Sequence, residues 1–280
     1  MVDASIYTTP KVDCHCHILD PSGFAYAGDV AYRPAGQETG SADYFLQVLD
    51  AYGVQHALLV GPNSGYGTDN RCLIEAIARS QGRFKGIAVV ANDTPASELQ
   101  ELKAQGIVGI AFNFALHGLA HYRPAVSLFA RLAALEMLVQ VQVDGDQMKQ
   151  MAPQLIDSGA HILVDHCGRP DVAHGIAGAG FTALLGLADT GRATVKLSGF
   201  SKFSAQPFPF ADARPYALDL LAAFGPDHCI WASDWPFLKA PQRLDYGPLL
   251  QLFATSVPNA QDRQKILWDT PLQLFGFGAT

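Results

Sequence analysis

The chain is 280 residues long, 49% hydrophobic and 16% charged, with a formal net charge of −7 at pH 7. So much apolar material and so little charge exclude a disordered chain, and an acidic balance with no run of Lys or Arg argues against a nucleic-acid partner. No segment reaches the ~20 consecutive apolar residues that a membrane helix needs.

Residues 1–10 have neither a basic start nor an apolar run and give no sign of a secretory leader. The five cysteines are odd in number and scattered, as expected of free thiols in a reducing cytoplasm. Strand-like apolar runs alternate with helical segments from end to end. The first strand, residues 11–17, carries His15 and His17 at its end. Residues two apart in a strand share a face, so both imidazoles look out together, with Asp13 below them, while Cys14 and Cys16 point the other way. Residues 19–40 form the longest irregular segment, and long ordered loops in compact domains are usually functional. A helix is expected over 41–52, with Ser41 as its N-cap. Strand two, 55–60, runs into a polar turn at 61–67, and Thr68 caps a helix reaching Ser80. Strand three covers 84–90, followed by a helix over 95–104. Strand four, 107–112, ends in Asn113; a loop over 115–123 follows, and Pro124 suits the first turn of the next helix. Strand five is 137–143, with a helix over 146–157. Strand six, 161–166, leads into Cys167-Gly168-Arg169, and a helix covers 181–190. Strand seven is 194–198, with a helix over 213–224. Strand eight is 228–234, and helices over 246–255 and 260–268 close the chain.

Strands alternating with helices predict a parallel sheet, and eight such units in about 250 residues predict a single (β/α)8 TIM-type barrel domain over residues 1–280. The competing doubly wound sheet usually has fewer strands, and its nucleotide-binding form carries a G-x-G-x-x-G after the first strand, which is missing here. Barrel enzymes place their chemistry at the C-terminal strand ends. Read that way, strand one offers His15 and His17, strand four Asn113, strand five Gln140 and Gln142, strand six His166 and then Arg169, strand seven Lys196 and Ser198, and strand eight Asp234. Three imidazoles and a carboxylate are thus expected at one mouth. Asp165, next to His166, is expected to face outward as a helix-contacting or capping group. Asp13 is either a partner for a histidine or a buried structural carboxylate. His56, His161 and His228 start strands and belong to the barrel bottom. His117, His121 and His174 are expected on the surface. Cys14, Cys16 and Cys229 are expected to pack outward against helices as small hydrophobes.

The segments Val12-Asp13-Cys14-His15-Cys16-His17, Gly109-Ile110-Ala111-Phe112-Asn113, Val164-Asp165-His166-Cys167-Gly168-Arg169-Pro170, Val195-Lys196-Leu197-Ser198-Gly199 and Ala232-Ser233-Asp234-Trp235-Pro236 resemble the amidohydrolase superfamily. More narrowly, they resemble its branch of 2-pyrone-4,6-dicarboxylate lactonases and sugar-lactone hydrolases. The resemblance covers nearly the whole chain and implies a hydrolase opening a small lactone. It assigns the family's histidine pair, strand-six histidine and strand-eight aspartate to His15, His17, His166 and Asp234. Metal-dependent relatives add a strand-five histidine, where this chain has Gln140 and Gln142. The expectation is therefore that no metal is required; a bound Zn²⁺ would sit on His15, His17, His166 and Asp234, since zinc accepts nitrogen and oxygen ligands in fours.

On this reading Asp234 is the general base for water, and the three histidines aim N–H donors at the carbonyl oxygen. Asn113 and Gln142 orient the substrate, with Tyr32, Ser64 and Tyr66 at the rim and Arg169 and Lys202 as cations. The lactonases of the branch hold two carboxylates with several arginines; Ala111 and His117 occupy two of those places here, which weakens the case for a dicarboxylate. The alternative is a metal-dependent decarboxylase of the same superfamily. A small-molecule substrate, no nucleic acid and no membrane are expected. The sequence leaves the oligomeric state open.

Overall fold

The structure, a computed structural model, describes residues 4–278. Eight strands, β1 (Lys11–Cys16), β2 (Val54–Val60), β3 (Phe84–Ala88), β4 (Ile107–Asn113), β5 (Leu138–Gln142), β6 (Ile162–Val164), β7 (Ala193–Lys196) and β8 (Cys229–Ile230), pair in parallel in sequence order. β8 is only two residues long as a regular strand, yet the segment after it completes the ring. Cys14 N–H donates to the Trp231 carbonyl, Asp234 N–H to the His15 carbonyl and His17 N–H to the Trp235 carbonyl, at 3.1, 2.9 and 2.8 Å. The expected (β/α)8 barrel is the fold.

Alternation along the strands builds two cores. Val12, Leu58, Val60, Ile87, Leu138, Leu163 and Ile230 cluster inside the barrel, while Ala57, Leu59, Ile110, Val139, Val141, Val164 and Val195 belong to the layer packed against the helices. Phe275, at the end of the last helix (Thr270–Phe275), and Phe277, just past it, join the inner cluster, and His56 stacks on Phe277 with ring centroids 4.5 Å apart. The C-terminal segment thus stoppers the bottom of the barrel, and the open end is the one at which the strands finish.

Several expectations change locally. The pairing of β1 with β2 shifts between Asp13 and Cys16, so three steps on β1 match two on β2. This is a bulge, and it breaks strict alternation. Cys14 joins the inner cluster with Val12 rather than facing the helices, the bulge lets His15 turn inward beside it, and Cys16 packs outward as expected. Thr68 caps no helix: that helix is Arg71–Arg79 and begins after Asn70, whose amide is spent clamping Val89 N–H and C=O at 3.1 and 2.8 Å. The segment expected as a loop after β4 contains a short helix, Phe114–His117, and a 3-10 stretch, Leu119–Ala125, that includes Pro124. The helix after residue 41 forms as expected, Ala42–Ala51, with the Ser41 side chain accepting from Tyr44 N–H.

Asp13 resolves to a structural carboxylate. It points out of the barrel, fully buried, and accepts from Ser233 N–H at 2.9 Å, Ser233 Oγ at 2.6 Å, Tyr246 OH at 2.8 Å and His15 N–H at 3.3 Å. Asp13→Ala leaves these buried donors without an acceptor and is expected to cost about 3 kcal/mol, read as a lowered urea midpoint. A loss well under 1 kcal/mol would show that the clamp does little.

Candidate active site

His15, His17, His166 and Asp234 line a cavity of about 440 Å³ at the open end of the barrel. Asp234 Oδ1 lies 3.8 Å from His15 Nε2, 3.7 Å from His17 Nε2 and 3.7 Å from His166 Nε2. Two of the four leave their strands through a left-handed backbone, His166 at φ 51 and Asp234 at φ 63, conformations that non-glycine residues adopt sparingly and that gather at functional sites. The neighbouring Gly199 is required by the same packing. Its φ is +65, and a Cβ there would meet the His166 ring at 2.5 Å.

The turn at His166 explains why Asp165 breaks its expectation. In β6, Leu163 faces inward, so alternation carries Asp165 inward too. His166 reaches the cup only because the chain turns there. Asp165 is buried beneath His15, with Oδ1 3.1 Å from His15 Nδ1 and 2.9 Å from Lys196 Nζ. Its Oδ2 accepts from Gln140 Nε2 at 3.0 Å. Lys196 Nζ also donates to Gln140 Oε1 at 2.8 Å and lies 3.1 Å from His15 Nδ1. Burial alone would raise the Asp165 carboxyl, but the Lys196 ammonium and then His15 outweigh it and hold the group well below the usual carboxylate range.

Asp234 follows the same pattern. Burial opposes its charge, yet Lys202, with Nζ 2.9 Å from Oδ2, and then His166 hold it ionised well below the ordinary value. Lys202 also donates to the Leu238 carbonyl at 2.7 Å. Burial, and then the Lys196 charge, push His15 down to about 4. Burial pushes His166 down to about 3, against the pull of Asp234. Both rings are therefore neutral near pH 7.

The second ring nitrogens fix what each histidine offers. His17 Nδ1 lies 2.7 Å from the Val60 carbonyl. A carbonyl only accepts, so Nδ1 carries the hydrogen and a neutral His17 turns a lone pair on Nε2 into the cup. His166 Nδ1 faces Ser198 Oγ at 3.2 Å, a hydroxyl that donates as readily as it accepts. The spacing of the four groups suits a tetrahedral ion, and His15, His17 and Asp234 stand close enough to share one. The donor chemistry does not. Lys202 lies against Asp234, and Lys196 shares the far nitrogen of His15 with the Asp165 carboxylate, so a cation placed here would meet two fixed ammonium groups already bonded to its ligands.

Asn113, Gln142, Arg169, Ser64 and Lys202 line the cavity. Asn113 Oδ1 is engaged as the cap of the short helix, accepting from Leu116 N–H at 3.0 Å, which leaves its amide hydrogens for a ligand. Arg169 Nη2 is 3.5 Å from Asp144 Oδ1, and its buried Nε has no hydrogen-bond partner among the described residues. Tyr32 and Tyr66 are not brought to the cavity. Tyr66 is buried under the first loop, its OH accepting from Asp20 N–H at 3.0 Å. Tyr32 pairs with Glu38, and its ring supports Lys239, whose Nζ lies 4.4 Å from the centroid. Lys239 does line the cavity; nothing in the sequence marked it, because it sits in an irregular loop past the strand-eight motif. His117 is exposed as expected, with Nε2 3.2 Å from Oδ1 of Asn63, a residue that lines the cavity.

With this geometry in place, comparison with known proteins gives the class. The Amidohydrolase family matches residues 12–277, and the chain belongs to that family and is a hydrolase. It is 32% identical over 273 residues to a 4-sulfomuconolactone hydrolase of Rhizobium radiobacter, covering 94% of this chain and 89% of that one. It is 26% identical to a 2-pyrone-4,6-dicarboxylate hydrolase of Comamonas testosteroni, with 94% and 89% covered. Among solved structures, a probable 2-pyrone-4,6-dicarboxylic acid hydrolase from Acinetobacter baumannii, crystallised with citric acid bound, superimposes with a TM-score of 0.85 at 29% identity, covering 95% of this chain and 99% of that one. A 2,6-dihydroxybenzoate decarboxylase from Rhizobium, at 16% identity and a TM-score of 0.64, shares the fold. Among the described residues no helix is long and apolar enough to cross a membrane.

The neutral, buried histidines set the acid response of the fold. Their folded values, about 4 and about 3, lie below the ordinary 6.5. The unfolded chain therefore binds more protons through this window, and stability falls as pH drops below about 6.5. Between pH 7 and pH 5 each ring is expected to remove on the order of 2 kcal/mol, read as a falling urea midpoint that falls less in His166→Gln. An unchanged midpoint over that range would contradict the burial of the two rings as neutral species.

Proposed function

We propose that the protein hydrolyses a small lactone carrying an anionic substituent, without a resident metal, in the cup formed by His15, His17, His166 and Asp234. The observation that carries this reading is the convergence of one ionised carboxylate oxygen and three Nε2 atoms within 3.7–3.8 Å, at the floor of a cavity whose wall holds a buried, unsatisfied Arg169 Nε. The relatives named as hydrolases of a sulfonated lactone and a pyrone dicarboxylate support the substrate class.

A water between Asp234 Oδ1 and the His17 Nε2 lone pair attacks the lactone carbonyl carbon, and its proton passes to Asp234. The oxyanion that forms is met by N–H donors on His15 and His166, rather than by all three imidazoles, because His17 with its Nδ1 hydrogen on the Val60 carbonyl turns a lone pair to the cup. Collapse breaks the bond to the ring oxygen, which takes the proton back from Asp234, giving a hydroxy acid or its keto form. Lys202 lowers the basicity of Asp234, so the barrier must fall chiefly through positioning and the two donors. Arg169, Lys202 and Lys239 meet the anionic substituent, Asn113 and Gln142 orient the ring, and Ser64 closes the rim. A decarboxylase of the same fold would need the metal that these donors do not suit. The free, buried thiols fit an enzyme of the reducing cytoplasm.

In a screen of sulfonated and carboxylated lactones, Asp234→Asn is expected to lower kcat by roughly 10³-fold, and exhaustive chelation to leave turnover unchanged. Full activity in the variant, or loss on chelation with recovery on adding Zn²⁺ or Mn²⁺, would overturn the reading. Lys239→Met should raise KM for an anionic lactone about tenfold and leave kcat in place; an equal fall in kcat alone would remove Lys239 from substrate binding.

A further inference from the structure

Beneath the cup lies a group that the mechanism above does not use. Lys196 is completely buried on β7, and its ammonium has three hydrogens and three neighbours that can accept them: Gln140 Oε1 at 2.8 Å, Asp165 Oδ1 at 2.9 Å and His15 Nδ1 at 3.1 Å. The Gln140 amide is oriented by its own donation to Asp165 Oδ2 at 3.0 Å, which turns Oε1 toward the lysine. Asp165 is held ionised, so the lysine opposite it is the charged partner.

His15 Nδ1 lies 3.1 Å from a donor, Lys196 Nζ, and 3.1 Å from an acceptor, Asp165 Oδ1, and only with Nδ1 bare does every hydrogen find an acceptor, the nitrogen and the carboxylate oxygen then sharing one ammonium between them. If Nδ1 carried the hydrogen and gave it to Asp165, the third Lys196 hydrogen would face another N–H in a site closed to solvent. A buried donor left unmet is costly. If Nδ1 is bare, Lys196 spends all three hydrogens, and Asp165 still accepts from Lys196 and Gln140. We propose that Lys196 is a positioning residue that locks His15 in the tautomer with its hydrogen on Nε2, making it a donor toward the cup. His17, two residues on, is locked the other way by the Val60 carbonyl. The paired histidines of β1 therefore carry opposite tautomers, one donating and one accepting, as a carbonyl oxygen and an attacking water require. The functional half of this inference rests on the lactonase reading; the tautomer half does not.

The test is nitrogen-resolved NMR of the protein labelled with ¹⁵N-histidine at pH 7, with resonances assigned by single substitutions. The expected wild-type pattern is hydrogen on Nε2 for His15 and on Nδ1 for His17. In Lys196→Met the His15 hydrogen should move to Nδ1, facing Asp165, and kcat on the lactone substrate should fall about 100-fold with KM little changed. A wild-type spectrum with the His15 hydrogen on Nδ1, or a His15 signal unmoved in the variant, overturns the assignment. If the variant does not fold, the wild-type spectrum decides alone. The expected spectrum in a protein that opens no lactone would sink the functional reading and leave the role of Lys196 standing.

Discussion

A buried carboxylate on the first strand sets the geometry of the whole mouth. β8 is a regular strand for only two residues, and beyond it the chain must be held against β1 by other means. Asp13 supplies them by gripping Ser233 through both its N–H and its hydroxyl, with Tyr246 on the same oxygen. The Asp234 N–H then bonds the His15 carbonyl. Asp234 and the first histidine are hydrogen-bonded backbone neighbours, so the distance between their side chains follows from barrel closure rather than from side-chain reach. Sites built on strand ends are held more tightly than sites on loops, and here the decisive tether lies outside the cup.

Inside the mouth, each buried carboxylate has an ammonium of its own: Lys196 for Asp165 and Lys202 for Asp234. An unpaired buried charge would be prohibitive, and pairing makes the two acids permanent anions. Such pairs contribute little net stability, because desolvation offsets their attraction. What they supply is a fixed field. Asp165 with Lys196 fixes the ring below the cup. Lys202 lowers the proton affinity of Asp234, which in the proposed reaction shifts the burden toward the donors facing the carbonyl oxygen.

The barrel and the set His15, His17, His166 and Asp234 were legible in the sequence because they rest on periodicity and chain order. Eight alternating units define the fold, and the ends of strands one, six and eight define the cup. What was not legible depends on local departures from period two. The bulge between Asp13 and Cys16 lets Cys14, in phase with Val12, and His15 both face inward, and no residue in that stretch advertises it. The left-handed turn at His166 lets two successive residues, Asp165 and His166, both reach the interior; a strict alternation that places His166 inside must expel Asp165. The correct phase was available in Leu163, whose inward position predicts Asp165 once His166 is allowed to leave the strand. Tyr66 and Lys239 lie in irregular loops, where sequence position does not fix direction. Tyr66 turned under its loop, and Lys239 was carried to the mouth over the Tyr32 ring.

The distribution of charge around the cavity bears on what the cup can hold. The wall from β4 and the segment after it is uncharged, with Ala111, Phe112, Ala115 and Leu116 around a single polar Asn113, and the cations Arg169, Lys202 and Lys239 stand on the walls that follow β6, β7 and β8. Strands four and eight are opposite each other in an eight-stranded ring. A ligand that spans the mouth therefore meets apolar surface at one end and positive charge at the other. Arginine grips a carboxylate through two parallel hydrogen bonds, whereas lysine offers a point charge on a flexible stem. With Ala111 on the β4 wall and lysines supplying two of the three positive groups, the cavity has no symmetric pair of arginine forks suited to two planar carboxylates. A lactone charged at one end, with a tetrahedral sulfonate or a single carboxylate facing Lys202 and Lys239, matches this polarity better than a dicarboxylate charged at both.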